Sequence, residues 1–228
     1  MAVDTPALET QFTTLEQQHQ STLLGMWIFL DTEILLFGGL FVSVFAYRVW
    51  YGDDFDMASG RLNVLIGGVN TVVLLTSSLT MALAVHAALT GGRRLALWLV
   101  LTAVLGLAFL GLKGYEYLSD YREGLVPWTA RFSAREWTEH TPPADPQHVA
   151  LFLIFYYVMT GLHAVHLSVG IGLVVWLTRR AMAGRVTPDR SDVAEAIGLY
   201  WHFVDVVWIF LLPLLYLSVH HTPEDFHF

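Results

Sequence analysis

No cysteine occurs in the 228 residues, which removes disulfides, thiolate metal sites and thiol chemistry from consideration. Charge is scarce as well. Only 14% of the residues are Asp, Glu, Lys or Arg, and their balance is acidic, with a formal net charge of -8 at pH 7. The basic surface that nucleic acid would require is missing. Residues 1–20, MAVDTPALETQFTTLEQQHQ, hold no Lys or Arg, no apolar core and no small-residue cleavage site. They do not read as a secretory signal, so the first apolar segment is expected to stay in the mature protein.

Apolar and aromatic residues are abundant. The chain is 55% hydrophobic, carries 8 Trp, 9 Tyr and 14 Phe, and has a mean hydropathy of +0.53. Such values belong to membrane proteins, in which amphipathic rings settle at the water–lipid boundary. Five apolar runs, about 23–47, 62–89, 95–118, 148–177 and 196–219, are each long enough to cross a hydrocarbon core, which takes roughly 20 helical residues at ~1.5 Å each. The expected fold is an all-α membrane protein, a bundle of five transmembrane helices over 23–220. Segment 1–22 precedes it, an external loop 119–147 lies over it and a tail 221–228 follows.

Arginine sets the orientation. Arg93 and Arg94, then Arg179, Arg180, Arg185 and Arg190, lie in short connections. Arg48, Arg61, Arg122, Arg131 and Arg135 are diluted in longer ones that also hold Asp53, Asp54, Asp56, Asp120, Glu123, Glu136, Glu139 and Asp145. Basic density in short loops marks the cytoplasmic face, which places the N-terminus in the cytoplasm and the C-terminus in the periplasm.

Helical backbone satisfies itself in a bilayer, so the informative residues are polar side chains at depth. The first span carries Asp31 and Glu33, and the fourth carries His163 and His166 at i, i+3. Glu33 and the two histidines fall near mid-bilayer, where an isolated ionised carboxylate is disfavoured, so Glu33 is expected to be protonated or hydrogen-bonded to His163 or His166. A buried clamp that fixes helix register, a proton relay and a facial metal site are the three roles open to this trio. His202 and Asp205, again i, i+3, form with His86 an inner layer, flanked by Trp201 and Trp208 as packing or interface anchors. Lys113 and Glu116 mark the outer end of the third span. Small residues in GGVNTVVLLTSS, GLKG and GLHAVHLSVGIG predict that the second to fourth spans pack most tightly, with Asn63, Asn70, Thr71 and Ser77 free to hydrogen-bond across.

Five stretches carry a family resemblance. YWHFVDVVWIF (200–210) resembles the last-helix signature of subunit III of the haem-copper cytochrome oxidases. GMWIFLDTEILLFGGLF (25–41) is similar to that family's glycine-to-glutamate helix, with Glu33 on its intramembrane glutamate. LNVLIGGVNTVVLLTSSLTMALAVHAAL (62–89) resembles the next helix, with Asn63, Ser77, Ser78 and His86 in the expected places. GYEYL (114–118), with Tyr115, Glu116 and Tyr117, resembles the end of the third, and TGLHAVHLSVG (160–170) is similar to the paired-histidine helix.

The resemblance runs from about 20 to 220 with the motifs in order, and departs in one respect. Longer members precede a five-helix bundle with a two-helix arm, and this chain has five spans. It implies a non-catalytic subunit III of a bacterial inner-membrane cytochrome c oxidase, binding no cofactor itself. Haem and copper would lie in partner subunits, the partners being subunit I with subunit II and subunit IV. The chain would support proton uptake, stability and lipid binding, with Arg93, Arg94, Arg179 and Arg180 as headgroup candidates. Subunit III of a quinol oxidase and an accessory protein of a nitric oxide reductase system are the alternatives. A haem-binding quinone oxidoreductase using His86 and His163 is a third, independent of the family. The residues agree that five spans without a cluster of haem- and copper-ligating histidines cannot reduce oxygen alone.

Overall fold

The computed structural model describes residues 14–139, 143–188 and 191–217. Pro142, Arg190 and the expected tail 221–228 lie outside the described residues, as does most of segment 1–22. Among the described residues seven helices follow one another: α1 Leu15–Trp50, α2 Gly52–Ser59, α3 Val64–Thr90, α4 Leu95–Arg122, α5 Ala134–Thr138, α6 Pro146–Met182 and α7 Asp192–Tyr216. Five of them, α1, α3, α4, α6 and α7, are long and apolar enough to cross a membrane.

At α1, α3 and α6 polar caps, rather than the edges of the hydropathy runs, set where the helix starts. The Thr14 hydroxyl accepts from the Gln17 amide at 3.1 Å, so α1 begins eight residues before its apolar run. Asn63 caps α3 through Ile66 N at 3.1 Å and is spent there instead of bonding across helices. Gly91 closes the same helix in the left-handed region, φ 69°, a position where a side chain would be strained. Asp145 caps α6 with Pro146 at its first turn, where a missing N–H costs nothing. At 36 and 37 residues, α1 and α6 reach about 55 Å and overrun the hydrocarbon at their ends.

The two additional helices lie in the long connections. α2 buries Phe55 against Phe152 of α6, ring centroids 5.3 Å apart. Beyond α4, Leu125, Val126 and Trp137 are buried, with Arg61 stacked over the Trp137 ring. The 119–147 connection thus packs on the end of the bundle, and its first residues belong to α4.

Helix α7 is central, packing against α3, α6 and α1, while α4 fills the space between α3 and α6. Glycine explains the closeness, and two of the three small-residue stretches, GGVNTVVLLTSS and GLHAVHLSVGIG, supply part of it. A Cβ on Gly106 would stand 2.9 Å from the Trp201 ring, one on Gly170 3.2 Å from Trp201 and Tyr200, and one on Gly67 2.9 Å from Leu212. Around Gly111 and Gly114 of the GLKG stretch there is open space. The tight contacts are rings of α7 set into glycines of its neighbours, so the last span belongs to the compact part of the bundle. Helix α1 is peripheral, leaving Leu24, Trp27, Ile28, Leu35, Val42 and Phe45 exposed, the surface that lipid demands.

Candidate functional site

At one end of the bundle the chain's single lysine is fully buried. Lys113, Glu116 and Asp120 repeat at i, i+3 and i+7 along α4 and so share a face, turned toward Tyr156 on α6 and Tyr216 on α7. The ammonium donates to Glu116 Oε2 at 3.1 Å, to the Tyr156 hydroxyl at 3.0 Å and to the Tyr216 hydroxyl. Three protons meet three acceptors, the full capacity of the group. Tyr216 in turn donates to Glu116 Oε1 at 2.7 Å, and Tyr156 reaches Glu116 Oε1 at 3.0 Å and Asp120 Oδ2 at 3.2 Å. Lys113 and Glu116 are 2% and 1% exposed, a burial that only such saturation makes tolerable. Glu116 and Asp120 also line a polar cleft of about 410 Å³ with Arg61, Asn63 and Ser119. Of the GYEYL residues, Tyr117 bonds Thr160 of α6 at 2.7 Å, whereas Tyr115 faces outward.

Asp120, expected in the external loop, belongs to α4, which runs a turn past the apolar residues that end at 118. Tyr156 and Tyr157, whose hydroxyls reach Asp120 Oδ2 at 3.2 and 3.4 Å, were not among the expected site residues. The usable signal was the 113-116-120 spacing, which places three charges on one helical face.

In the central layer the structure separates what the sequence grouped. His166 Nε2 lies 2.9 Å from Glu33 Oε2, and its Nδ1 donates to the Leu162 carbonyl at 2.9 Å. His163, one turn away, takes no part in this pair: it is fully buried with its ring 5.4 Å from Phe109 and 5.2 Å from Trp208. Residues three apart are rotated about 60° on a helix, enough for His166 to face α1 while His163 faces α4 and α7. The Phe109 and Trp208 rings also meet each other at 4.7 Å, so the three form one packed aromatic cluster in which His163 has no exposed surface. Asp31 is exposed on α1. Among the described residues no group of three or more His, Cys, Asp or Glu is placed to hold a metal ion.

The inner layer is a ladder between α3 and α7. Trp208 Nε1 donates to Thr71 Oγ1 at 3.0 Å, Trp201 Nε1 to Ser77 Oγ at 3.2 Å, and the Ser78 hydroxyl is 2.7 Å from His202 Nδ1. Both tryptophans are fully buried, so they pack the interior rather than mark an interface. Asp205 is 3% exposed, and its two oxygens, like the Asn70 amide and both His163 nitrogens, have no hydrogen-bond partner among the described residues. His86 is exposed and lines, with His202, Glu195 and Leu23, a cleft of about 390 Å³. Arg93 and Arg94 stand at the α3–α4 turn and Arg179 and Arg180 at the end of α6, so all four mark the end of the bundle where α4 and α7 begin. Arg180 stacks over Trp176 at 4.9 Å.

Among the described residues this arrangement holds helices together and buries ionisable groups. Comparison with known proteins accords with it. The family described as cytochrome c oxidase subunit III matches residues 138–220. Over 208 residues, 90% of this chain and 89% of the relative, it is 32% identical to a cytochrome c oxidase subunit 3 of Alkalihalophilus pseudofirmus. It is 31% identical over 205 residues to a quinol oxidase subunit 3 of Bacillus subtilis, covering 86% of each. A cytochrome c oxidase subunit 3 of Thermostichus vulcanus is 30% identical over 219 residues, 92% of this chain and 96% of the relative.

Proposed function

The chain belongs to the subunit III family of the haem-copper terminal oxidases, and on that premise we propose that it serves a cytochrome c oxidase of a bacterial inner membrane as a non-catalytic subunit sustaining proton uptake by subunit I. The family membership makes it a multi-pass membrane protein of an oxidase complex. Haem and copper, held by subunits I and II, supply the oxygen chemistry. The observation that supports the cytochrome c type is Glu33, a mid-span carboxylate paired with His166 at 2.9 Å, because the quinol branch of the resembled family often lacks it. Relatives named quinol oxidase subunit 3, at 31% and 28% identity, favour the quinol type as the second reading.

The arginine-rich end supports a role in proton uptake. With that end in the cytoplasm and the C-terminus outside, Arg93, Arg94, Arg179 and Arg180 hold anionic headgroups, each worth about 1 kcal/mol near such a surface. Lipid and the inner layer then shape the proton entrance of the catalytic partner.

Two measurements test this. The complex co-purified with this chain should oxidise reduced cytochrome c, and turnover with a quinol alone would transfer the chain to the second reading. Depleting the chain should leave initial activity near normal at low pH, lower it more at high pH where protons are scarce, and hasten inactivation during turnover. An unchanged pH profile and turnover lifetime, with lowered thermal stability, would leave only a bracing role.

A further inference from the structure

Asp205 combines near-total burial with the absence of a well-formed hydrogen bond to any described residue, Ser78 being a looser polar neighbour. A carboxylate in that condition would be a bare charge in a low-dielectric interior, which proteins avoid by neutralising the group. Among the described residues no cation is placed to do so: Lys113 gives all three of its protons elsewhere, and Arg93, Arg94, Arg179 and Arg180 stand at the α3–α4 turn and the end of α6. A proton is the counter-charge that remains, and a proton needs a route.

One is present. The Ser78 hydroxyl of α3 is 2.7 Å from His202 Nδ1, and the i, i+3 spacing puts the Asp205 carboxyl beside His202 on the face of α7 that Ser78 meets, where Ser78 is also its polar neighbour. His202 lies one turn before Asp205 on the same face of α7 and also lines the 390 Å³ cleft with His86 and Glu195. Cleft, imidazole, hydroxyl and buried carboxyl follow in sequence. The other titratable groups on helices packed against α7 are engaged or turned away. Glu33 and His166 bind each other, Asp31 is exposed on α1, and His163 is enclosed by Phe109 and Trp208.

We propose that Asp205 is a buried proton-binding site that exchanges with the inner cleft through Ser78 and His202, as a relay with a dead end. The transfer balances. A proton joins His202 Nε2 from the cleft, the Nδ1 proton passes to the Ser78 oxygen, and the Ser78 proton passes to the Asp205 carboxylate. His202 ends as the other neutral tautomer and Ser78 as a hydroxyl donating to Nδ1. The reverse movement restores both, so a store needs no separate reset, whereas a through-channel would. For its use, one proton held beside the uptake route of a catalytic partner, the proposal rests on the reading given above; the exchange itself is a property of this chain alone.

Infrared difference spectroscopy of the full-length chain in lipid vesicles tests it. Subtracting Asp205→Asn from wild type should isolate a protonated-carboxyl C=O band that shifts when D2O replaces H2O. Ser78→Ala and His202→Leu should slow that shift by about tenfold, the scale of one lost hydrogen bond, and Ser78→Thr, which keeps the hydroxyl, should restore it. Glu33→Gln should leave the band in place. No band in the difference spectrum, or exchange as fast in Ser78→Ala and His202→Leu as in wild type, overturns the proposal. If His202→Leu fails to fold, the Ser78→Ala and Ser78→Thr pair decides alone. Failure to co-purify with subunit I would overturn the oxidase reading and leave this measurement as it stands.

Discussion

Replacing the Lys113 ammonium with a methyl group would leave Glu116 and Asp120 buried among tyrosine hydroxyls without the ammonium that Glu116 receives. Breaking a buried pair from one side costs about 3–5 kcal/mol, so Lys113→Met should lower the thermal midpoint of the detergent-solubilised protein sharply. An unchanged midpoint would mean the cluster is not held as described. The Glu33–His166 pair should be milder, because bonds between helices in lipid average about 0.6 kcal/mol and rarely exceed ~1.7. A double-mutant cycle of Glu33→Leu with His166→Leu should give a coupling in that range, while Glu33→Leu with His163→Leu should couple near zero. Equal couplings would put His163 back beside the carboxylate. The Glu33 pairing was legible because a carboxylate and an imidazole at equal depth in two spans have few other partners. His163 misled because a shared helical face covers two neighbours, and the sequence does not say where one ends. Asp120 was hidden because a charge next to the end of an apolar run looks solvated until the tyrosines that receive it come from other helices.

At the scale of the helix, glycine decides how near α7 comes. Gly106→Ala would set a Cβ 2.9 Å from the Trp201 ring and 3.1 Å from Ile171 Cγ1, and neither the ring nor the branched chain can withdraw cheaply. Overpacking of this kind costs about 1–3 kcal/mol, whereas Gly111→Ala, with nothing within 4 Å, should be neutral in the same melting assay. Similar effects at both would refute the ring-in-glycine packing. The five spans themselves were readable from hydropathy, which reports only which residues prefer lipid. Their lengths were not, since Thr14 and Asp145 extend α1 and α6 through polar sequence by capping free amides. The short helices α2 and α5 also escaped, because Phe55 and Trp137 gain their burial from α6 and from the end of the bundle rather than from any local pattern.

The whole molecule divides its tryptophans between lipid and interior. Trp27 and Trp50 are 54% and 70% exposed on α1, and Trp201 and Trp208 are enclosed. In vesicles of brominated lipid, a variant keeping only Trp27 should lose most of its fluorescence, while one keeping only Trp201 and Trp208 should lose little. Quenching of the interior pair would place α7 on the surface and reverse the architecture. That α7 is central was only half legible: its run of His, Asp and Trp announced a buried helix, but nothing in one sequence says which three neighbours enclose it.

The saturated lysine also bears on how the chain is made. Helix α4 leaves the ribosome with Lys113, Glu116 and Asp120 in place, but Tyr156 and Tyr216 are translated 43 and 103 residues after the lysine. Until they arrive, the last third of α4 carries charges that a translocon penalises heavily at depth and lightly near the interface. An early α4 should therefore ride shallow, its charged turn among the headgroups, and sink only when α7 docks. Biogenesis of this subunit thus has a last step set by its final helix, and nascent chains halted before Tyr216 should remain open to proteolysis at the end of α4.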